Sequence, residues 1–159
     1  MFFRILYATD FSANAACALD YVKKLKEAGA KEIIIVHVYD QKKVNAMMEF
    51  KQKMAGEFSQ SIEDEVFDEL LDSSLKKLKK IKKELKDLGF STHVEIKIGY
   101  PGRGICKFAE QYEPCVIVIG AQGESHSEDR ALGSTAMHVV NSIDIPVFLI
   151  KMQKDECNH

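Results

Sequence analysis

The chain has 159 residues, 46% of them apolar and 29% charged, with a formal net charge of −2 at pH 7. That length fits one domain, and the apolar share fills a core, which excludes a wholly disordered chain. A charge balance so near neutral excludes a domain held on nucleic acid by a broad basic field.

The longest uninterrupted apolar run, Cys115 to Ala121, is seven residues and contains a glycine, so no membrane span is expected. The opening MFFRILYATD places Arg4 inside its apolar run and Asp10 after it, which is unlike a secretory signal. Cys17, Cys106, Cys115 and Cys157 show no CxxC spacing and are read as reduced thiols. The expected location is cytoplasmic.

In chain order, Phe3–Ala8 reads as a strand. Ser12 can cap the helix that follows over Ala13–Ala28, with Ala15, Ala18, Leu19, Val22 and Leu25 at helical spacing and Gly29 ending it. Glu32–Val38 is a second, β-branched strand. Residues 39–60 hold three Met, four Lys and no clear period; they read as a mobile, partly helical insertion. A long helix is expected over Ser61–Leu88, with Phe67, Leu70, Leu71, Leu75, Leu78, Ile81, Leu85 and Leu88 as its apolar face. Thr92–Ile98 alternates as a strand. Pro101 suits a first helical position ahead of Ile105, Phe108, Ala109 and Tyr112. Cys115–Ile119 is apolar throughout, as a strand buried on both sides must be. A helix over 134–142 and a strand over Val147–Ile150 complete the domain, 1–151, before a polar tail, 152–159.

Strands separated by helices imply an α/β fold, an open five-stranded parallel sheet with right-handed crossovers and helices on both faces. The expected strand order is 3-2-1-4-5, a Rossmann-like winding. Ligands in such sheets sit beyond the carboxyl ends of the strands where the winding reverses, here between strands 1 and 4. The residues just past those ends are Ala8-Thr9-Asp10 and Gly120-Ala121-Gln122-Gly123, followed after nine residues by Gly133-Ser134-Thr135. Glycines permit left-handed backbone and close approach to an anion, and a helix N-terminus adds free N–H groups, so a phosphate chain can lie between them. There is no GxGxxG after the first strand and no GK[ST], which argues against a dinucleotide dehydrogenase and a P-loop NTPase.

Gly120-x2-Gly123-x9-Gly133-Ser134 resembles the nucleotide-binding signature of the ATP-binding branch of the universal stress protein family. Ala8-Thr9-Asp10-Phe11-Ser12, His37-Val38, Gly99-x-Pro101-x3-Ile105 and Ile145-Pro146-Val147 are similar to that family in type and order. The resemblance spans nearly the whole chain, including a variable insertion after strand 2. It implies an adenine nucleotide, ATP or AMP, with Mg²⁺ or Mn²⁺ held mainly by the phosphates, on a homodimer. It implies Asp10 at the ribose and the Val38 backbone at the adenine. Gly120, Gln122, Gly123, Gly133, Ser134 and Thr135 would surround ribose and phosphates, with Ala8 and Thr9 beside Asp10. Two positions depart from the family: Ala8 stands where Pro is common, and the loop after Gly123 reads ESHSEDRAL where Arg or Lys is common.

The remaining features have plainer readings. Lys76, Lys77, Lys79, Lys80, Lys82 and Lys83 follow Glu63, Asp64, Glu65, Asp68, Glu69 and Asp72 on one helix, which reads as a solvated face complementing the helix dipole. His37 reads as a packed, hydrogen-bonded residue and His126 as ordinary surface. No histidine pair has metal-binding helix spacing, so no structural zinc site is expected.

The expected function is a homodimeric nucleotide-binding switch or sensor in a stress response, with an unidentified protein partner. The two copies would join through the fifth strands, Val147–Ile150. Asp10 and Glu124 are the acids near the site and neither has a visible catalytic partner, so slow or partner-stimulated ATP hydrolysis is the ceiling. The alternative is a dimeric interaction protein of the same fold without nucleotide. The acidic loop motivates it: Glu124, Glu128 and Asp129 outweigh Arg130. A phospho-acceptor receiver domain would need an acidic pair after strand 1 and an Asp after strand 3, whereas Thr9-Asp10 offers one acid and Ile98-Gly99 none.

Overall fold

The computed structural model describes residues 1–56, 58–123 and 131–152. Its elements are β1 (Arg4–Ala8), α1 (Ala13–Lys24), β2 (Glu32–Asp40), α2 (Gln41–Ala55), α3 (Gln60–Asp87), β3 (Ser91–Gly99), α4 (Pro101–Tyr112), β4 (Val116–Gly120), α5 (Ser134–Ser142) and β5 (Val147–Ile150). The strands form one sheet in the order β3-β2-β1-β4-β5, and each pairing is parallel.

Alternate side chains of each strand go to opposite faces, which divides the core in two. Ile5, Tyr7, Ile33, Ile35 and Val118 meet Ala18 and Val22 of α1 and Leu78 and Leu85 of α3 on one face. Leu6, Ile34, Val36, Ile117 and Ile119 meet Ile105 and Ala109 of α4 and Val139 of α5 on the other. Each such Leu, Ile or Val side chain is fully or nearly buried, and full burial contributes about 1.5–3 kcal/mol per side chain. Among the described residues no helix is long and apolar enough to cross a membrane.

Several boundaries differ from expectation. α1 ends at Lys24 rather than Ala28, because the N–H groups of Lys26, Glu27, Ala28 and Gly29 bond three residues back instead of four, a tightened close to the helix. β2 continues two residues past Val38. Asp40 then both ends β2 and caps α2, its carboxylate accepting from the Lys42 N–H at 3.0 Å. Most of the 39–60 insertion is therefore helix, entered without a loop. Cys106 and Cys115 are free thiols, but Cys17 is disulfide-bonded, against the reduced state expected for it.

The expected apolar face of α3 is only partly buried. Leu78 and Leu85 pack on the sheet, whereas Phe67, Leu71, Leu75 and Leu88 are exposed. Length explains the upper part: 28 residues of helix run roughly 42 Å, against about 30 Å for the nine-residue strands. The first turns of α3 overhang the carboxyl ends of the strands. There Ile62 and Val66 are the buried residues, α2 packs alongside, and Lys51 of α2 meets Glu69 at 2.8 Å. Of the tail 152–159, Met152 alone is described, its N–H donating to Asn14 Oδ1 at 3.0 Å.

Candidate functional site

The strand ends are not level. β1 stops with Ala8 opposite Val36, and the Thr9 N–H donates to the Val36 carbonyl at 2.9 Å. β2 and β3 continue together to Asp40 opposite Gly99. Val38, Tyr39 and Asp40 therefore pair with β3 alone, and the other edge of this backbone borders a cavity of about 540 Å³. That volume is ordinary for a small-molecule site.

The β1–α1 turn forms the floor. Thr9 Oγ1 accepts from the Phe11 N–H at 3.1 Å, Asp10 Oδ1 from the Ser12 N–H at 2.9 Å, and Ser12 Oγ from the Ala15 N–H at 3.2 Å. Ser12 is thus the cap of α1, while Asp10 tightens the turn with one oxygen. The other oxygen faces Gly123: a Cβ built there would lie 2.9 Å from Asp10 Oδ2.

Opposite stands the β4–α5 connection. A Cβ on Gly120 would lie 2.9 Å from the Asn14 Cβ and 3.1 Å from its carbonyl carbon, so β4 can end against α1 only as glycine. The Gly133 N–H donates to the Ala121 carbonyl at 2.8 Å, and Ala121 N–H to the Ile150 carbonyl at 2.8 Å, fixing the start of α5 to the sheet. Gly133 caps α5 without a side-chain hydrogen bond, and Ser134, Thr135 and Ala136 of that first turn line the cavity. Helix-start N–H groups favour anions. Gln122 Nε2 donates to the Ala131 carbonyl at 2.8 Å. The left-handed backbone expected of these glycines is absent: among the described residues the positive-φ glycines are Gly29, Gly56 and Gly89. Gly120 and Gly123 serve close approach instead. Glu124, His126, Glu128, Asp129 and Arg130 lie outside the described residues.

All ten residues expected at the site line this one cavity: Ala8, Thr9, Asp10, Val38, Gly120, Gln122, Gly123, Gly133, Ser134 and Thr135. Sequence reasoning missed the wall facing them, which Lys43, Val44 and Met47 of α2 and Leu70, Ser73, Ser74 and Lys77 of α3 build. The length of α3 against that of the strands was the signal available. His37 joins the two walls: its Nδ1 lies 2.8 Å from the Thr9 carbonyl, and its ring sits 4.5 Å from those of Phe11 and Tyr39. The Tyr39 phenol donates to the Leu70 carbonyl of α3. Burial holds that phenol above its ordinary range, the Ser74 hydroxyl opposing the shift, so it stays a neutral donor. No group of three or more His, Cys, Asp or Glu side chains able to hold a metal occurs among the described residues.

The universal stress protein family model matches residues 1–151. Universal stress protein MJ0577 of Methanocaldococcus jannaschii is 32% identical over 155 residues, covering 95% of this chain and 96% of that one. The solved MJ0577 structure superposes with a TM-score of 0.81 at 33% identity, covering 96% of this chain and 98% of that one. Two more distant structures share the fold. One is an Arabidopsis thaliana family protein with AMP bound (18% identity, TM-score 0.60, 96% and 94% covered). The other is a universal stress protein in complex with cAMP (19%, 0.57, 92% and 94%). With the family model matching almost end to end, this chain belongs to the universal stress protein family.

Proposed function

We propose that this protein binds an adenine nucleotide, ATP or AMP, and acts as a homodimeric switch or sensor in a stress response. The observation that carries the reading is the juxtaposition in one cavity of a one-sided strand edge, Val38–Asp40, with a glycine-bearing turn and a helix start. A purine edge needs backbone donors and acceptors, and a phosphate chain needs close backbone N–H groups. The Val38 backbone would hold the adenine and Asp10 the ribose. Gly123, Gly133, Ser134 and Thr135 would hold the phosphates, which in turn would carry most of the coordination of Mg²⁺ or Mn²⁺. The AMP- and cAMP-bound proteins of the same fold agree with this reading.

The site is better suited to holding a nucleotide than to cleaving it. Asp10 uses one oxygen on the Ser12 N–H, and no described side chain hydrogen-bonds it, so it lacks the partner that would make it a base. Slow or partner-stimulated hydrolysis is the ceiling. Heating the pure protein with Mg²⁺-ATP, and separately with AMP, tests the proposal. At 100 times the dissociation constant a ligand stabilises by about 2.7 kcal/mol, a rise of roughly 5–10 °C for a chain of this size. No shift with either would favour a dimeric interaction protein that has dispensed with the nucleotide.

The dimer would form at β5, an edge of the sheet beyond which the described residues supply no strand. Val147, Phe148 and Leu149 are only partly buried there, and Pro146 and Lys151 guard only the ends. An open apolar edge invites antiparallel pairing with its own copy. Sedimentation equilibrium at micromolar concentration should find a dimer that Phe148→Pro weakens; a monomeric wild type would refute this interface.

A further inference from the structure

Lys76, Lys77, Lys79, Lys80, Lys82 and Lys83 crowd the second half of α3, and one of them differs from the solvated face expected of them all. Lys76 lies 3.1 Å from Asp72, and Lys83 2.6 Å from Asp87. Lys77 makes no ion pair with any described residue. Its Nζ lies 5.0 Å from the centre of the Phe11 ring, and it lines the cavity. Ser73, one helical turn earlier, lines the cavity as well, and residues four apart share a helix face. Around this hydroxyl and ammonium the wall formed by α2 and α3 includes the apolar Val44, Met47 and Leu70. Phe11 directly follows Asp10, so the ring beneath the ammonium belongs to the same turn whose Asp10 carboxylate faces Gly123.

We infer that Lys77, assisted by Ser73, takes a phosphate oxygen of the bound nucleotide, so that α3 supplies the cation countering the ligand's charge. The inference rests on the nucleotide-binding reading and narrows it: the ligand class becomes phosphorylated adenosine rather than adenosine itself. An ammonium resting on a ring has no described carboxylate to surrender, and its charge-assisted bond to phosphate is the stronger contact. The flexible four-carbon stem of lysine lets the head group swing from ring to phosphate while α3 stays in place. The turn that binds the sugar and the helix that binds the charge then come from different parts of the chain.

Calorimetric titration of the full chain with adenosine, AMP and Mg²⁺-ATP tests the assignment. Lys77→Met is expected to weaken the phosphorylated ligands about tenfold and adenosine less than twofold, and to flatten the dependence of ATP affinity on salt. Lys77→Arg should keep most of the affinity. Lys79→Met removes the same charge from an exposed position of the same helix outside the cavity and should change nothing. Unliganded melting curves that match the wild type establish that the variants fold. Equal weakening of adenosine and ATP, or a Lys79→Met that behaves like Lys77→Met, would overturn the role of Lys77. A wild type that binds ATP beside an indifferent Lys77→Met overturns it alone; a wild type that binds none of the three removes the nucleotide reading with it.

Discussion

The two walls of the cavity are held in shape by different forces. On one side, β1, β4 and α5 bring backbone against backbone: Gly120 lies against Asn14, Gly123 against Asp10, and Gly133 is bonded to Ala121. No atom can be added at Gly120 without displacing main chain, or at Gly123 without displacing the Asp10 carboxylate. On the other side, α2 and α3 offer side chains on helices, anchored by the burial of Leu78 and Leu85 below and by Tyr39 on the Leu70 carbonyl above. The first wall dictates which residues occupy it. The second accepts any side chains that pack, so it is where ligand preference can be tuned without disturbing the sheet.

Three variants sharpen or break that contrast. The largest expected effect is Leu78→Ala, which empties a fully buried position under α3 and should cost about 2–5 kcal/mol in urea unfolding while ATP affinity of the folded protein falls less than tenfold. A greater loss of affinity would mean that the helical wall is as exacting as the other. Next is Gly123→Val, which places methyl groups at the Asp10 carboxylate. It should weaken ATP about a hundredfold, about 2.7 kcal/mol, with little change in melting temperature. A folded variant with wild-type affinity would remove Gly123 from the site. The smallest is Tyr39→Phe, which leaves the Leu70 carbonyl without its phenol donor and should cost about 0.5–1.5 kcal/mol by chemical denaturation. No measurable loss would make the tie between β2 and α3 incidental.

The same contrast explains what could be read from the sequence. The doubly covered parallel sheet was legible because runs such as Ile33–Val36 and Val116–Ile119 are apolar without interruption, and its order because five strands alternate with helices. The candidate residues of the first wall were legible because the sheet's winding reverses there and glycines at fixed spacing precede a helix start, whereas Val38 came only from the family resemblance. α2 was not, since its apolar residues lie on different sides: Val44 is 2% exposed, whereas Phe50 and Met54 are 65% and 73% exposed. Lys77 was hidden among five similar lysines, because its distinction lies in the ring of Phe11, far away in the chain. A contact of that kind leaves no local period or spacing to find.

The overhang of α3 has a consequence for how the molecule breathes. Local opening is cheapest where few apolar groups are buried and dearest where the core is. The end of α3 that carries Leu78 and Leu85 shares the core of the sheet, so its amides should exchange with solvent only on global unfolding. The end that carries Gln60 to Ser73 has α2 for cover and should open separately, at lower free energy. A single continuous helix would then show two exchange regimes, with the boundary near Ser74. A molecule seated beneath the overhang would slow exchange above that boundary and leave it unchanged below.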